Sequence, residues 1–144
     1  TGMGRRFQKV GEINGIKIYD DYAHHPTEIK ATLDAAASKF GKDNVVAVFQ
    51  PHRYTRLQSL WNEFKGAFSN AGRVIVTDVY AASEDQIAGI SGENFAKDLV
   101  GSEYFSGDMK SVAKELLPTL KQGDVVIGLG AGTITNLGKE LKLL

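Results

Sequence analysis

The chain has no cysteine among its 144 residues. That excludes disulfides, thiolate metal sites and a cysteine nucleophile. Charge of one sign is also missing: 17 Lys and Arg balance 17 Asp and Glu, for a formal net charge of +0. A general nucleic-acid or membrane surface needs a basic excess or stripe, so neither is expected. No apolar run approaches the ~20 residues of a membrane-spanning helix. No secretory signal pattern opens the chain, and a cytoplasmic location is the expectation. There is no Gly-x-x-x-x-Gly-Lys-Ser/Thr loop to cradle a triphosphate, no serine elbow, and no carboxylate set arranged for Mg²⁺. The histidines lack the spacing of a chelating pair, so no metal site is expected.

What remains is an ordinary globular composition, 42% hydrophobic and 24% charged, in a length that suits one domain over 1–144. The distribution of Arg and His is not ordinary. All three histidines and four of the five arginines fall at Arg5-Arg6, between Asp20 and Glu28, or between Gln50 and Arg56, whereas the lysines are scattered. Arginine forks match carboxylates and phosphates, and histidine carries or moves a proton near neutral pH. The clustering points to an anion site.

Apolar runs of strand length alternate with segments of helical period. Phe7 to Ile13 and Ile16 to Tyr19 flank Asn14-Gly15, the signal of a two-residue hairpin. A helix is expected over 26–40, a second with Leu57, Leu60, Trp61, Phe64 and Phe68 on one face, and shorter ones capped by Ser91 and Asp108. Pro118 should shorten the latter. A last helix carries Ile134, Leu137 and Leu141. Val45 to Phe49, Val74 to Val79 and Val125 to Leu129 read as buried parallel strands, and Glu103 to Phe105 as a short one. The pattern predicts a Rossmann-like α/β fold: a mostly parallel sheet, helices on both faces, and one antiparallel strand from the hairpin.

In such sheets ligands bind at the carboxyl ends of the strands. Four polar or glycine-rich clusters follow strands here: Asp20 to Pro26, Gln50 to Arg56, Asp78 to Ala82, and Gly128 to Thr133. Each also has a plain structural reading. Asp20-Asp21 suits a solvated turn, His24-His25 a helix start, and Gly-Leu-Gly-Ala-Gly an ordinary glycine turn. Arg53 and Arg56, three apart at the start of a helix, suit either an anion clamp or salt bridges. With anion clamps but no phosphoryl-transfer machinery, the edge reads as half an active site. Arg5-Arg6 so close to the first residue also suggests a boundary within something longer, although Met3 is a possible start.

Residues 20–29 (Asp-Asp-Tyr-Ala-His-His-Pro-Thr-Glu-Ile) and 49–56 (Phe-Gln-Pro-His-Arg-Tyr-Thr-Arg) resemble signatures of the alanine-adding branch of the Mur ligases of bacterial cell-wall synthesis. Gly-Arg-Arg-Phe-Gln (4–8), Asp-Val-Tyr-Ala-Ala (78–82) and Gly-Ala-Gly (130–132) are similar to further segments of that family in the same order. The resemblance implies a C-terminal domain of a three-domain, ATP-dependent amide-forming ligase. Its other domains would hold UDP-N-acetylmuramate, the ATP loop and the Mg²⁺ ligands. It places Arg6, with Arg5 beside it, at the ATP γ-phosphate, and Asp21 and Ala131 also on the nucleotide side. It places Tyr22, His24, His52, Arg53 and Arg56 around L-alanine, with His24 or His52 able to accept a proton. Thr133 departs from the family, where Asp is frequent. The competing resemblance is to the murein tripeptide-recycling ligases, which share the first signature, usually with Phe at the position of Tyr22, and lack the second. A different class of reading is a free-standing anion- or nucleotide-binding module.

Overall fold

The computed structural model describes residues 6–144. Strand β1 (Gln8–Ile13) turns through Asn14 and Gly15 into β2 (Ile16–Asp21), both turn residues having left-handed φ, 52° and 79°. That is the conformation a two-residue hairpin with the natural strand twist requires. Four further strands complete one sheet: β3 (Val45–Phe49), β4 (Arg73–Val76), β5 (Glu103–Tyr104) and β6 (Val125–Leu129). The spatial order is β1-β2-β6-β3-β4-β5. Only β1 runs antiparallel to its neighbour.

Alternation along the central strands builds two cores. Val45, Ala47 and Phe49 point to the face covered by α1 (Pro26–Phe40), α2 (Tyr54–Ser59), α3 (Trp61–Lys65) and α4 (Gly92–Asp98). Val46 and Val48 point to the opposite face, under α5 (Met109–Leu116) and α6 (Leu137–Lys142). Both faces of the sheet are buried, which is why these strands read as unbroken apolar runs rather than alternating ones.

The expected helices form with local differences. The segment from Leu57 to Phe68 is two short helices rather than one. It breaks at Leu60 (φ −115°, ψ 22°), and α3 begins at Trp61, whose indole N–H donates to Asp98 at 2.7 Å. The apolar spacing survives the break, because Leu57, Phe64 and Phe68 are all buried. Pro118 ends α5 at Leu116 and draws Leu117–Thr119 into a 3₁₀ turn, as its missing N–H dictates. The last helix likewise opens as a 3₁₀ turn over Thr133–Asn136. Strand β4 stops at Val76, so the apolar Val79 lies in the loop that follows.

Candidate functional site

The parallel register makes the central strands end flush. Asp21 pairs with Leu129, Phe49 with Leu129, and Phe49 with Val76. One further backbone bond crosses each gap: Gly130 N–H to Asp21 O (3.2 Å), Gln50 N–H to Leu129 O (3.1 Å) and Thr77 N–H to Phe49 O (2.9 Å). The four clusters expected at strand ends therefore leave the sheet together, on one edge.

There Tyr22, His24, His52 and Tyr80 form a continuous row of rings. Tyr22 meets His24 edge-on at 5.0 Å, His24 meets His52 at 5.9 Å, and His52 stacks on Tyr80 at 5.5 Å with an 8° interplanar angle. The hydrogen bonds give the two imidazoles different tautomers. His24 Nδ1 lies 2.9 Å from Tyr22 O, an acceptor only, so Nδ1 carries a proton and Nε2 is the ring's acceptor when neutral. Arg56 Nη1, a donor only, lies 3.0 Å from His52 Nδ1, so there the proton sits on Nε2. Burial, then Arg56, the neighbouring His24 and Arg53, push His52 below the ordinary histidine value, against a smaller opposing pull from Glu84.

Arg53 starts α2 with φ 75° and ψ 137°, a backbone conformation unfavourable for a side chain of this size. Arg56 sits in the first turn above it and binds His52 through both Nδ1 and, at 3.4 Å, the carbonyl O. Among the described residues neither guanidinium has a carboxylate within ion-pair distance. Both line an open groove of about 530 Å³ with His25, Thr55, Gln58 and Ser59. His25 itself is the exposed residue at the start of α1.

Asp21 differs from the other acidic candidates. It is 1% exposed, and its carboxylate accepts from Phe7 N–H (2.8 Å), Ala23 N–H (2.8 Å) and the Thr32 hydroxyl (3.1 Å). The expectation of a nucleotide contact thus falls on a carboxylate that three internal donors occupy. What Asp21 holds is the segment carrying Arg6, together with Phe7 stacked on Tyr19 at 4.6 Å. Arg6 is half exposed and lies 3.8 Å from Glu28. Glu28 also accepts from the backbone N–H groups of His24 (3.3 Å) and His25 (3.2 Å). It thus joins the arginine arm to the histidine loop. Arg5 lies outside the described residues.

The glycine turn closes the edge. A Cβ on Gly132 would stand 2.5 Å from the Tyr80 ring and 2.8 Å from Gln50 Oε1, so only glycine fits. Ala131 follows Gly130 on this turn, half buried. Gln50 donates to Thr133 Oγ1 (2.8 Å) and accepts from Ile134 N–H (3.0 Å), which gives Thr133 a structural contact. Glu28, Gln50, Tyr80 and Glu84 were not singled out from the sequence as site residues. For Glu28 a signal existed, a glutamate three residues after a helix start. For the others the partners are distant in sequence. Among the described residues no group of three or more His, Asp or Glu is placed to hold a metal ion, and no helix is long and apolar enough to cross a membrane.

The model of the family described as "Mur ligase, glutamate ligase domain" matches residues 5–132. The UDP-N-acetylmuramate–L-alanine ligase of Bdellovibrio bacteriovorus is 46% identical over 142 residues, and that of Geotalea daltonii 48% over 145 residues. Each match covers 97% of this chain and 31% of the relative. The crystal structure of the UDP-N-acetylmuramate–alanine ligase of Thermotoga maritima superposes with a TM-score of 0.74 at 27% identity, over 96% of this chain and 29% of that one. A murein peptide ligase of Psychrobacter arcticus shares the fold, with a TM-score of 0.76 at 19% identity over the same shares. The chain thus spans under a third of the length of the curated relatives it matches.

Proposed function

This chain belongs to the Mur ligase family, and from that premise we propose that it is the C-terminal domain of an ATP-dependent UDP-N-acetylmuramate–L-alanine ligase. The sugar's lactyl carboxylate attacks the γ-phosphorus of ATP, releasing ADP and forming an acyl phosphate. The amine of L-alanine then attacks the acyl carbon, and inorganic phosphate leaves from the tetrahedral intermediate. Mg²⁺ would screen the phosphates from ligands on the domains that precede this one, in the cytoplasm where ATP is supplied.

The observation that carries the reading is the pair Arg53 and Arg56, cations that have no carboxylate of their own among the described residues and lie beside two histidines. Arginine forks hold a carboxylate bidentately, which suits the carboxylate of an amino acid. The tautomers then divide the proton work. L-alanine arrives as an ammonium and must lose a proton before it attacks. His24 presents an Nε2 acceptor and is the base in this reading. His52, with Nδ1 engaged by Arg56 and the proton on Nε2, donates a hydrogen bond instead. Tyr22 covers the histidine edge-on. Arg6 reaches the γ-phosphate on an arm that Asp21 positions, and Ala131 lies on the turn next to the nucleotide. These groups position and neutralise charge; closure by the other domains excludes water from the acyl phosphate.

The test is phosphate release by the full-length protein with ATP, Mg²⁺ and UDP-N-acetylmuramate, with and without L-alanine. Release should depend on L-alanine, and the 144-residue chain alone should release none. Preference for the intact tripeptide as amine donor would instead favour the recycling ligase. Turnover by the isolated chain would contradict the half-site reading.

A further inference from the structure

Residues 80–84 have no part in the reaction just described, yet they hold the arginine segment from several directions. Tyr80 N–H donates to Pro51 O and Arg53 N–H to Tyr80 O, both at 2.8 Å, so His52 and Tyr80 pair as an isolated strand bridge. The Tyr80 ring covers His52. Glu84 reaches back 29 positions: Oε1 accepts from Thr55 N–H at 3.1 Å and Oε2 from the Thr55 hydroxyl at 2.5 Å. Ala82 (φ 51°) and Ser83 (φ 73°) supply the left-handed turn that brings Glu84 there. Both of its oxygens are engaged by Thr55. Arg53 lies outside ion-pair distance of it, and the guanidinium stays available.

A left-handed arginine persists only where its surroundings over-determine it. Arg53 is fixed on one side by its N–H bond to Tyr80, and on the other by the carboxylate that fastens Thr55, two residues on. We propose that Glu84 is a positioning residue for the amino-acid clamp, acting through Thr55 on the first turn of α2 to set the directions of Arg53 and Arg56. It touches no substrate, and the inference rests on the reading of those arginines as a carboxylate clamp.

Steady-state kinetics of the full-length ligase test this. Glu84→Ala should raise KM for L-alanine about tenfold while KM for ATP stays within about twofold and kcat is largely kept. Glu84→Gln and Thr55→Val should move the same constant in the same direction by less. The double variant Glu84→Ala/Thr55→Val should be no worse than Glu84→Ala alone, because both act through one contact. If Glu84→Ala fails to fold, the two milder variants carry the test. An unchanged alanine KM in both, or an equal rise for alanine and ATP, overturns the proposal. A wild-type enzyme whose turnover ignores L-alanine would sink the function reading itself, a result distinguishable from either.

Discussion

The two edges of the sheet use the same residue types in opposite ways. At the amino edge Arg73 makes a two-pronged pair with Glu103, through Nε at 2.7 Å and Nη2 at 2.9 Å, and gives its third nitrogen to Thr119 at 2.8 Å. Lys121 is similarly bonded to the buried Asp124. At the carboxyl edge Arg53 and Arg56 gather beside two histidines, and among the described residues no carboxylate closes on them. An arginine whose fork is filled from within serves the fold; on the proposed reading, one whose fork is open is kept for a ligand. Composition does not distinguish the two; the partner does.

Asp21 gives the largest expected effect and tests whether edge alone decides the role. It lies at the site edge but is internally saturated, so it should behave as a structural residue. Asp21→Ala strands two backbone N–H groups and a hydroxyl, and should lower the unfolding free energy of the chain by about 3 kcal/mol. Urea denaturation measures it. A loss confined to ATP affinity, with unchanged stability, would instead favour the direct nucleotide contact expected from the sequence.

Arg73→Ala is the next largest. It should cost about 1 kcal/mol or less, since the pair is partly exposed and screened, and should leave the alanine KM of the full-length enzyme unchanged. A kinetic effect there would erase the distinction between the edges.

The smallest effect is on pH. The folded-state value of His52 lies below the unfolded value of about 6.5, so the unfolded chain binds the proton more tightly. His52 therefore contributes stability that is fully present above pH ~6.5 and is lost as pH falls through its folded-state value. An NMR titration of the His52 ring should show a midpoint under the ordinary one, and His52→Gln should flatten the acid limb of the stability curve. A raised midpoint would mean that an internal acid faces His52 after all.

Much of this was legible in the sequence because local rules agreed with the fold. Asn14-Gly15 needs its hairpin, and Val45 to Phe49 needs two covered faces. Pro118 could only end its helix. The strand-to-helix loops were bound to share an edge once the strands ran parallel. Other features depend on partners far along the chain. Asp20-Asp21 also allowed the lesser reading of a solvated turn, and the burial of Asp21 follows from Phe7 and Thr32 folding over it. The left-handed Arg53 has no sequence signature, because the bonds that hold it come from Tyr80 and, through Thr55, Glu84. The break at Leu60 is similar, since Trp61 finds Asp98 only in the folded chain.

The open forks are the centre of this account, and Arg56 tests them most directly. In the full-length enzyme, Arg56→Ala should raise the KM for L-alanine by about a hundredfold, the loss of a charge-assisted contact. KM for ATP and the urea midpoint should stay near wild type, with Arg56→Lys intermediate because it cannot form the two-pronged pair. Equal losses for alanine and ATP, or a fall in the urea midpoint like that of a structural arginine, would contradict it.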